Sequence, residues 1–375
     1  MKVLITGSGG FVGRNLCLHL AERKDISVVR FEKDNALEEL PGLLADVEFV
    51  FHLAGVNRPQ DPKDFFSGNT DLTKALGTAL ANIRVSTGRK IPVIYTSSIQ
   101  ADRDNPYGQS KQQAELALRA LEEQHGIPAF IFRLPNVFGK WCRPNYNSAV
   151  ATFCHNIARG LPIQINDPGA PVTLVYVDDV VSRFVSLMDG ADPQKDTQGF
   201  VTVSPQYSTT VGDLASNIQA FKDSRISLIS ERVGSGLLRA LYSTYVSYLP
   251  TDSFSYTVPQ HGDPRGVFVE MLKTRDSGQF SYFTAHPGVT RGGHYHHTKT
   301  EKFLVIKGEA CFKFRHMDTG ETYELLTRGD KAEIVETVPG WTHDITNVGA
   351  DEMVVMLWAN EIFDRERPDT FACPL

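Results

Sequence analysis

Two short strings of residues, far apart in the chain, have the residue types and spacing needed for chemistry. The first is Thr6-Gly7-Ser8-Gly9-Gly10-Phe11-Val12-Gly13, and the second is His294-Tyr295-His296-His297-Thr298-Lys299-Thr300-Glu301. A glycine-rich turn presents backbone N–H groups to a phosphate, whereas imidazole and carboxylate groups bind divalent metals. We therefore expect one polypeptide to carry two chemistries.

The glycine-rich string lies between a predicted strand and a predicted helix. Lys2-Val3-Leu4-Ile5-Thr6 is an apolar, β-branched run, and apolar side chains recur at helical spacing from Phe11 to Arg23. The N–H groups at such a turn and the positive end of the helix dipole favour a pyrophosphate. The string alone fits a packing turn equally well, because its spacing is Gly-x-x-Gly-x-x-Gly. The predicted cofactor contacts here are Gly7, Gly10, Phe11, Val12 and Gly13.

A tyrosine and a lysine further along could supply acid-base chemistry. In Tyr107-Gly108-Gln109-Ser110-Lys111, which opens an amphipathic stretch, the tyrosine and the lysine share one helical face. An ammonium shifts a phenol toward phenolate, which can exchange a proton with a substrate oxygen. A bare Tyr-x-x-x-Lys is more often a surface pair, but here a predicted strand, Pro92 to Ser98, ends in hydroxyls just before it. Ser98 can therefore hydrogen-bond the oxygen that Tyr107 protonates.

These residues, with several further motifs, resemble the extended short-chain dehydrogenase/reductases over roughly the first two-thirds of the chain. The further motifs are Phe51-His52-Leu53-Ala54-Gly55, Asn69, Arg133-Leu134-Pro135-Asn136-Val137-Phe138-Gly139 and Val177-Asp178-Asp179-Val180. The resemblance implies a Rossmann-type, doubly wound parallel sheet. It also implies a catalytic set made of Ser98, Tyr107 and Lys111, in which Lys111 also holds the nicotinamide ribose. The further implied contacts are Leu53, Ala54, Gly55 and Asn69 for the cofactor, and Asn136 for a sugar nucleotide.

The end of the second predicted strand bears on the choice between NAD and NADP. An acidic residue there would bind the ribose diol, whereas cations would pair with a 2′-phosphate. Glu32 favours NAD, and Arg30 and Lys33 favour NADP. We expect NADPH, because the cations outnumber the anion and a biosynthetic reduction draws on NADPH.

The later part of the chain has a different pattern. From Val267 to Ala359, short alternating or apolar segments are separated by turns that contain Gly, Asp or Pro, which predicts an all-β domain. In a strand, His294 and His296 point to the same face. The Glu301 side chain can reach the same site from the next turn or strand. Such ligands suit Zn, Fe, Ni or Mn, although a lone His-x-His is more often an exposed pair.

The metal-ligand spacing continues beyond the first string. Gly308 follows Glu301, and Pro339-Gly340-Trp341-Thr342-His343-Asp344-Ile345-Thr346-Asn347 contains a further histidine. These residues resemble the two motifs of the cupins, which are double-stranded β-barrels. The resemblance implies that one metal ion is bound by His294, His296, Glu301 and His343. His297 is expected on the opposite strand face, as a supporting or surface residue.

Length and composition agree with a two-domain enzyme. The chain of 375 residues exceeds an ordinary single core, which predicts two domains. We place one at 1–248 and the other at 249–375, where the β-rich pattern takes over. The net charge of −6 and the pI near 6.0 provide no basic field for nucleic acid or an anionic membrane. No apolar run reaches the length of a membrane span, and because the first predicted strand begins at Lys2 we expect no signal peptide. The 5 scattered cysteines fit a reducing cytoplasm.

Longer runs resemble the bifunctional capsular polysaccharide-synthesis enzymes that join an extended reductase to a C-terminal cupin. The runs are 51–59, 97–101, 136–148, 242–245 and 296–303. The resemblance implies a homodimer, a zinc-binding cupin and a UDP-linked 4-keto-6-deoxy amino sugar as substrate. Lys140, Arg143 and Asn145 are the expected phosphate contacts, unless they form a solvated basic loop.

The activity implied by this resemblance has two steps. The cupin epimerises a UDP-2-acetamido-2,6-dideoxy-4-hexulose at C3, and the reductase then uses NADPH at C4 to give UDP-2-acetamido-2,6-dideoxy-L-talose. That product leads toward UDP-N-acetyl-L-fucosamine and capsule or O-antigen polysaccharide. A ketone acidifies the protons on its neighbouring carbons and loses this effect on reduction, so epimerisation must come first.

Three functional hypotheses stay open at this point. In the first, both domains are catalytic. In the second, only the reductase is catalytic and the cupin is a metal-stabilised dimerisation or recognition module. The third, a non-catalytic NADP-sensing regulator, is disfavoured by the intact catalytic set. The base that removes the C3 proton is not identified, and its candidates are Tyr295, His297, Lys302 and Asp344.

Overall fold

The chain divides into two structural units. The computed structural model describes Met1–Leu375. Unit 1 contains Met1–Ile218 and Ala240–Leu249, and unit 2 contains Gln219–Arg239 and Pro250–Leu375. The predicted C-terminal domain, 249–375, leaves out the Gln219–Arg239 segment, which belongs to unit 2. The boundary after residue 248 stays a prediction. None of the helices combines the length and the apolar composition needed to cross a bilayer.

Strands and helices alternate along unit 1. The strands are β1 (Lys2–Thr6), β2 (Ser27–Phe31), β3 (Phe49–His52), β4 (Val93–Ser98), β5 (Ala129–Leu134), β6 (Asn136–Phe138), β7 (Pro171–Tyr176) and β8 (Tyr207–Thr210). The helices are α1 (Phe11–Ala21), α2 (Leu40–Leu43), α3 (Lys63–Phe65), α4 (Leu72–Thr87), α5 (Pro106–His125), α6 (Ala149–Ala158) and α7 (Val177–Met188), with a π-helical turn at Phe66–Asp71. Two further helices, α8 (Val211–Ser227) and α9 (Gly236–Ser247), each contain a point at which the chain passes from one unit to the other.

A parallel sheet organises unit 1. Its strand order is β2-β1-β3-β4-β5, and β6, β7 and β8 form a separate small sheet. The strand order reverses between β1 and β3, and ligands of open α/β sheets bind outside the carboxyl ends of the strands at such a switch point. The glycine-rich string follows β1, and Ser98 ends β4. Both motifs therefore lie at the ligand-binding edge.

Different helices cover the two faces of this sheet. Val50 of β3 belongs to a core that includes Leu80 of α4 and Leu118 of α5. On the other face, Phe51 lies 6.5 Å from Phe184 of α7, measured between ring centroids. Adjacent residues of a strand point to opposite faces of the sheet. Both Val50 and Phe51 are buried, because helices cover both faces. The predicted doubly wound, Rossmann-type parallel sheet is confirmed.

Unit 2 is built from strands. They are β9 (Ile229–Ser230), β10 (His261–Asp263), β11 (Gly266–Thr274), β12 (Gly278–Ala285), β13 (Thr290–Tyr295), β14 (Glu301–Lys307), β15 (Glu309–His316), β16 (Thr322–Arg328), β17 (Ile334–Glu336), β18 (Trp341–Asn347), β19 (Met353–Ala359) and β20 (Phe371–Ala372). One sheet has the order β10-β11-β12-β19-β14-β17, with β9 paired to β11. The other has the order β16-β15-β18-β13-β20.

The two sheets of unit 2 share one apolar core. Phe303 of β14 lies 5.6 Å from Phe312 of β15, between ring centroids, so side chains of both sheets interdigitate. Val305, Ile345 and Val355 belong to the same buried cluster. Along β14 buried and exposed residues alternate in part, as expected for strands with one face on a core. The prediction that an all-β region follows the α/β region is confirmed.

Candidate functional site

The glycine-rich turn depends on one positive φ angle and one close backbone approach. Gly7 has a φ of 70°, in the left-handed region that favours glycine. A Cβ added to Gly13 would lie 2.2 Å from the Gly7 carbonyl oxygen, so α1 can pack this close to the turn only with glycine there. The turn then leads directly into α1, which begins at Phe11. Its first N–H groups are free of helical partners, which suits an anionic ligand.

A cavity of about 620 Å³ opens beside this turn. Residues of the turn, of the β4 end and of α5 line it together. Among the predicted cofactor and catalytic residues, the lining includes Gly7, Gly10, Phe11, Val12, Gly13, Leu53, Gly55, Ser98, Tyr107 and Lys111. The sequence motifs thus converge on one cavity. The glycine-rich turn and the volume of the cavity fit a dinucleotide.

Helix α5 holds the tyrosine and the lysine at the cavity wall. Asn105 caps the helix, because its side chain accepts a hydrogen bond from the Gly108 N–H at 2.8 Å. Burial raises the pKa of Tyr107, and a hydrogen bond with Ser98 partly opposes this effect. The Tyr107 phenol is therefore neutral near pH 7 and can serve as a proton donor.

Lys111 is a buried ammonium one helical turn beyond the tyrosine. Its Nζ donates to the Thr96 carbonyl at 3.0 Å and lies 5.0 Å from the centroid of the Tyr95 ring. Burial lowers the pKa of Lys111 to about 8, although the Glu115 carboxylate acts in the opposite direction. A Cβ at Gly55 would lie 3.0 Å from this Nζ. Glycine at position 55 therefore leaves room for the ammonium.

Asn69 supports the cofactor loop from behind instead of lining the cavity. Its side-chain oxygen accepts from the Val56 N–H at 2.9 Å, and its Nδ2 donates to the Ser110 hydroxyl at 3.0 Å. It lies in the π-helical turn, a geometry that is frequent at functional sites. Ala54 likewise is absent from the cavity wall. Asn69 thus ties the loop at 55–56 to the helix that carries Lys111.

A buried hydrogen-bond chain through His52 joins the same elements. The Thr73 hydroxyl donates to the Asn69 carbonyl at 2.6 Å, so it accepts from His52 Nε2, which lies at 2.8 Å. The other ring nitrogen then accepts from the Thr6 hydroxyl at 2.7 Å. Burial, and secondarily the charge of Lys111, lower the pKa of His52 to about 3. His52 is therefore neutral and serves to fix the ends of β1 and β3.

A buried ion pair lies beyond Lys111 on α5. Glu115 is one turn further along the helix and is only 3 % exposed. Arg133 donates to it from Nε at 3.0 Å and from Nη2 at 2.8 Å, and the Ser97 hydroxyl donates to it as well. The sequence motifs did not point to Glu115, although an acidic residue four positions after the lysine is a signal for such a pairing.

Glu32 at the end of β2 faces the glycine-rich turn. It accepts hydrogen bonds from the Ser8 hydroxyl and, at 3.0 Å, from the Gly9 N–H. Arg30 and Lys33 are exposed and lie outside the cavity wall. The acidic residue, not the two cations, is thus the one in contact with the turn.

The predicted phosphate contacts separate into two groups. Arg143 lines the cavity, with its guanidinium 5.0 Å from the centroid of the Tyr146 ring. Lys140 instead pairs with Asp178 at 2.6 Å. The backbone N–H of Asn145 donates to the Thr152 hydroxyl. Neither Lys140 nor Asn145 is among the wall residues of the cavity. The salt bridge to Asp178 of α7 thus holds the Lys140 ammonium away from the cavity.

Other residues of the substrate side follow from the fold. Asn136 lines the cavity, and its Nδ2 donates to the Thr173 carbonyl at 3.1 Å. Arg14, which the sequence analysis missed, also lines it and donates to the Trp141 carbonyl at 2.7 Å. An arginine just after the glycine string was the available signal. The wall thus carries two guanidinium groups, of Arg14 and Arg143, that suit a diphosphate.

Unit 2 brings all of the predicted metal ligands together. One donor atom from each of His294, His296, Glu301 and His343 lies within 4.8 Å of the others. The first two come from β13 and the residue after it, and the others from β14 and β18. The ring centroids of His294 and His296 are 4.9 Å apart, as expected for alternate residues on one strand face. The ligand set therefore spans both sheets.

The electrostatics of this cluster suit a divalent cation. Burial lowers the pKa of His294 to about 4, so its imidazole is neutral. Burial alone would raise the pKa of Glu301, but its interactions with His296 and His343 outweigh this effect and hold the carboxyl well below its ordinary range. His343 Nδ1 is buried without a hydrogen-bond partner. Three imidazoles around a carboxylate form a donor set that fits zinc and related metals.

A second cavity, of about 150 Å³, lies beside the cluster. Three of the four cluster residues line it, together with Arg291, Asp344 and apolar side chains. Asp344 is the only one of the four sequence-derived base candidates on this wall. Tyr295 and His297 instead lie against Phe371, with ring centroids 5.4 and 4.9 Å away. Lys302 is exposed and pairs with a glutamate of β17.

Comparisons with known proteins identify relatives of both units. Residues 3–200 match the NAD dependent epimerase/dehydratase family, and residues 261–371 match the polysaccharide biosynthesis C-terminal domain. A Pseudomonas aeruginosa protein named UDP-2-acetamido-2,6-beta-L-arabino-hexul-4-ose reductase is 65% identical over 373 residues, which cover 100% of this chain and 98% of the relative.

Solved structures agree with these matches. The capsular polysaccharide assembling protein CapF from Staphylococcus aureus is 41% identical, with a TM-score of 0.90 and coverage of 100% of both chains. A Bacillus cereus UDP-glucuronic acid 4-epimerase in complex with NAD is 19% identical and covers 66% of this chain and 98% of its own, with a TM-score of 0.54. The second likeness concerns the fold of the N-terminal region alone.

The buried ammonium of Lys111 predicts how stability depends on pH. Because the folded-state pKa of about 8 is below the ordinary value of 10.5, the unfolded chain binds more protons between these limits, and stability rises with pH across that window. Below the window the folded state carries the full penalty of the buried charge. Lys111→Met in cofactor-free protein should therefore raise the free energy of unfolding at pH 7 by up to about 3 kcal/mol and flatten the rise above pH 8.

Urea unfolding at several pH values measures this effect. Lys74 is an exposed lysine on α4, so Lys74→Met is the matched control and should leave the pH profile unchanged. A Lys111→Met protein that is less stable than wild type at pH 7, with the same rise above pH 8, would contradict the account of the buried charge.

Proposed function

The chain belongs to the NAD-dependent epimerase/dehydratase family, in the CapF-type group that ends in a polysaccharide-biosynthesis domain, and from this membership we propose that it is a sugar-nucleotide reductase with a second, epimerising site. The proposed substrate is a UDP-linked 2-acetamido-2,6-dideoxy-4-hexulose. The name of the 65% identical relative supports a 4-keto substrate of this class. The single observation that carries the reductase is the Ser98–Tyr107–Lys111 set on the wall of the glycine-turn cavity.

The chain's own residues act on the C4 oxygen in the reduction. NADPH supplies a hydride to C4 when it is bound. Tyr107 donates its phenolic proton to the C4 oxygen, and Ser98 holds that oxygen by a hydrogen bond. The Lys111 ammonium stabilises the phenolate that remains, because a neighbouring cation favours the charged form of a phenol. Arg14 and Arg143, which line the same cavity, bind the diphosphate.

The second site is assigned to the cluster of His294, His296, Glu301 and His343. A divalent metal, zinc in our proposal, would act there as a Lewis acid toward a carbonyl oxygen. The wall of the adjoining cavity contributes Arg291 and Asp344, whose polar groups can hold and orient a sugar. The C3 proton is acidic only while C4 is a ketone, so epimerisation at C3 precedes reduction. The product is then UDP-2-acetamido-2,6-dideoxy-L-talose, a precursor for capsule or O-antigen polysaccharide.

A reductase without epimerase activity is the second candidate function. The four ligands come from strands of both sheets of unit 2, so a bound metal would tie these sheets together. A metal can contribute folding free energy in this way without contact to substrate. In that case the C-terminal domain is a metal-stabilised dimerisation or recognition module.

Several further assignments belong to this proposal. The reductase is assigned to residues 1–248 and the epimerase to 249–375. We place the enzyme in the cytoplasm, where its 5 free cysteines stay reduced and sugar nucleotides are made. A homodimer is the proposed assembly, and neither nucleic acid nor a membrane is a proposed partner.

NADPH is the proposed hydride donor, although Glu32 opposes this choice within the site. Arg30 and Lys33 supply cations for a 2′-phosphate, whereas the Glu32 carboxylate on the glycine turn would repel it. Glu32→Gln keeps the side-chain size and removes the charge, so it should raise kcat/KM for NADPH relative to NADH about tenfold, worth about 1.4 kcal/mol. Steady-state kinetics with both cofactors measure the ratio. Tighter binding of NADH than of NADPH by the wild type would overturn the proposed donor.

Hydrogen exchange at C3 separates the two candidate functions. The enzyme is incubated with the UDP-4-keto sugar in deuterium oxide without NADPH, and C3 is examined by NMR. We expect deuterium at C3 with wild type and with Tyr107→Phe, and a loss of exchange of at least a hundredfold with His294→Ala. Addition of NADPH then tests reduction, which Tyr107→Phe should abolish. If the wild type incorporates no deuterium, the epimerase proposal is wrong and the reductase-only candidate stands.

A further inference from the structure

The C-terminal segment Asp369–Leu375 runs beside the strand that carries the first metal ligand. Its strand β20 extends the sheet past β13, so that Ala372 lies opposite His294. One residue later, the Cys373 N–H donates to the Gly293 carbonyl at 2.8 Å. The last residues of the chain are therefore part of the sheet around the donor cluster.

The Asp369 carboxylate binds the turn that separates two of the ligands. Its Oδ1 accepts from the His297 N–H at 3.0 Å, and its Oδ2 accepts from the N–H groups of Thr298 and Lys299, each at 2.7 Å. The Thr298 hydroxyl adds a fourth donor at 3.0 Å. Successive backbone N–H groups of this kind form an anion-binding concavity, here filled by a side chain of the same protein.

The Asp369 backbone contacts a ligand directly. Its carbonyl oxygen forms a hydrogen bond with His296 Nδ1. Because a carbonyl can only accept, this nitrogen carries the proton, and Nε2 is left as the nitrogen that faces Glu301 Oε2 at 3.2 Å. The tautomer and the ring orientation of His296 are thus set by a residue far away in sequence.

The next residue holds the other end of the turn. The Lys299 ammonium donates to the Thr370 hydroxyl at 2.7 Å. The turn 297–299 links His296 to Glu301, so its conformation determines how far apart these two ligands are. Each contact of the C-terminal segment therefore acts on the geometry of the donor set.

We propose that Asp369 is a positioning residue of the metal centre, whose carboxylate fixes the 297–299 turn and whose carbonyl presents His296 Nε2 to the metal. This inference rests on the metal centre of the proposed function. Partners that orient metal-ligating histidines typically change metal affinity by about 10- to 100-fold when they are removed. We expect a loss of that size when the carboxylate is replaced.

The test uses the full-length chain with Asp369→Asn. The amide keeps the size and the backbone carbonyl of residue 369 but places an NH₂ group against the N–H donors of the turn. Metal-free protein is reloaded, and the zinc dissociation constant is measured by competition with a chromogenic chelator. The visible spectrum of the cobalt-loaded protein reports ligand geometry, which a general loss of stability would not change. Asp364→Asn is the matched control, because Asp364 lies in the same segment, exposed, and accepts only from the Glu366 N–H.

We expect Asp369→Asn to weaken zinc binding at least tenfold and to shift the cobalt spectrum, with Asp364→Asn equal to wild type. Far-UV circular dichroism and urea unfolding of each metal-loaded variant serve as the folding control. If Asp369→Asn folds and binds both metals like wild type, the inference is wrong. If it does not fold, Thr298→Val decides, because it removes one donor to the carboxylate: a several-fold loss of zinc affinity supports the inference, and unchanged affinity overturns it.

The same data distinguish this inference from the function on which it rests. A wild-type protein that binds neither zinc nor cobalt overturns the metal centre and the role of Asp369 together. A wild type that binds zinc tightly but exchanges no C3 hydrogen overturns the epimerase alone. In that case the Asp369→Asn result still decides the positioning role.

Discussion

The burial of the Lys111 ammonium is the interaction on which the reductase site depends. Burial lowers its pKa to about 8, and the Thr96 carbonyl, the Tyr95 ring and the charge of Glu115 compensate in part. Glu115 is itself buried and needs the two hydrogen bonds from Arg133. Glycine at position 55 leaves room for the ammonium, since a Cβ there would lie 3.0 Å from Nζ. The proposed catalytic tyrosine, the loop at 55–56 and the sheet core are therefore arranged around one buried charge.

Unit 2 solves a related problem with the opposite charge. The Glu301 carboxylate is 8 % exposed and lies among the three imidazoles of the cluster. Three imidazoles and one carboxylate form a donor set that a divalent cation completes. In the proposed function the two sites then treat one carbonyl differently: unit 2 uses the acidity beside the ketone, and unit 1 protonates its oxygen. Reduction of the ketone ends the acidity that epimerisation needs, so the two steps must occur in a fixed order on one substrate.

The sequence allowed prediction of those parts of both sites that lie within one element or one turn, and the resemblance to the two cupin motifs added the distant His343 to the metal ligands. The glycine turn and the Tyr107–Lys111 pair have fixed helical or strand spacing, so their geometry follows from local structure. Contacts between distant segments could not be predicted in the same way, because tertiary packing determines them. Asp369 lies 72 positions from His297 along the chain, and nothing in its own neighbourhood indicates a contact. Lys140 is a second example, since its ammonium pairs with Asp178 of α7, a contact that the local sequence does not indicate.

In the proposed function both sites act in sequence on the same molecule. A substrate that carries deuterium at C3 is incubated in ordinary water with NADPH and enzyme. We expect every reduced product molecule to have lost the C3 deuterium and to have the inverted C3 configuration, as read by mass spectrometry and NMR. A reduced product that keeps its deuterium and its original C3 configuration would show that reduction does not follow epimerisation.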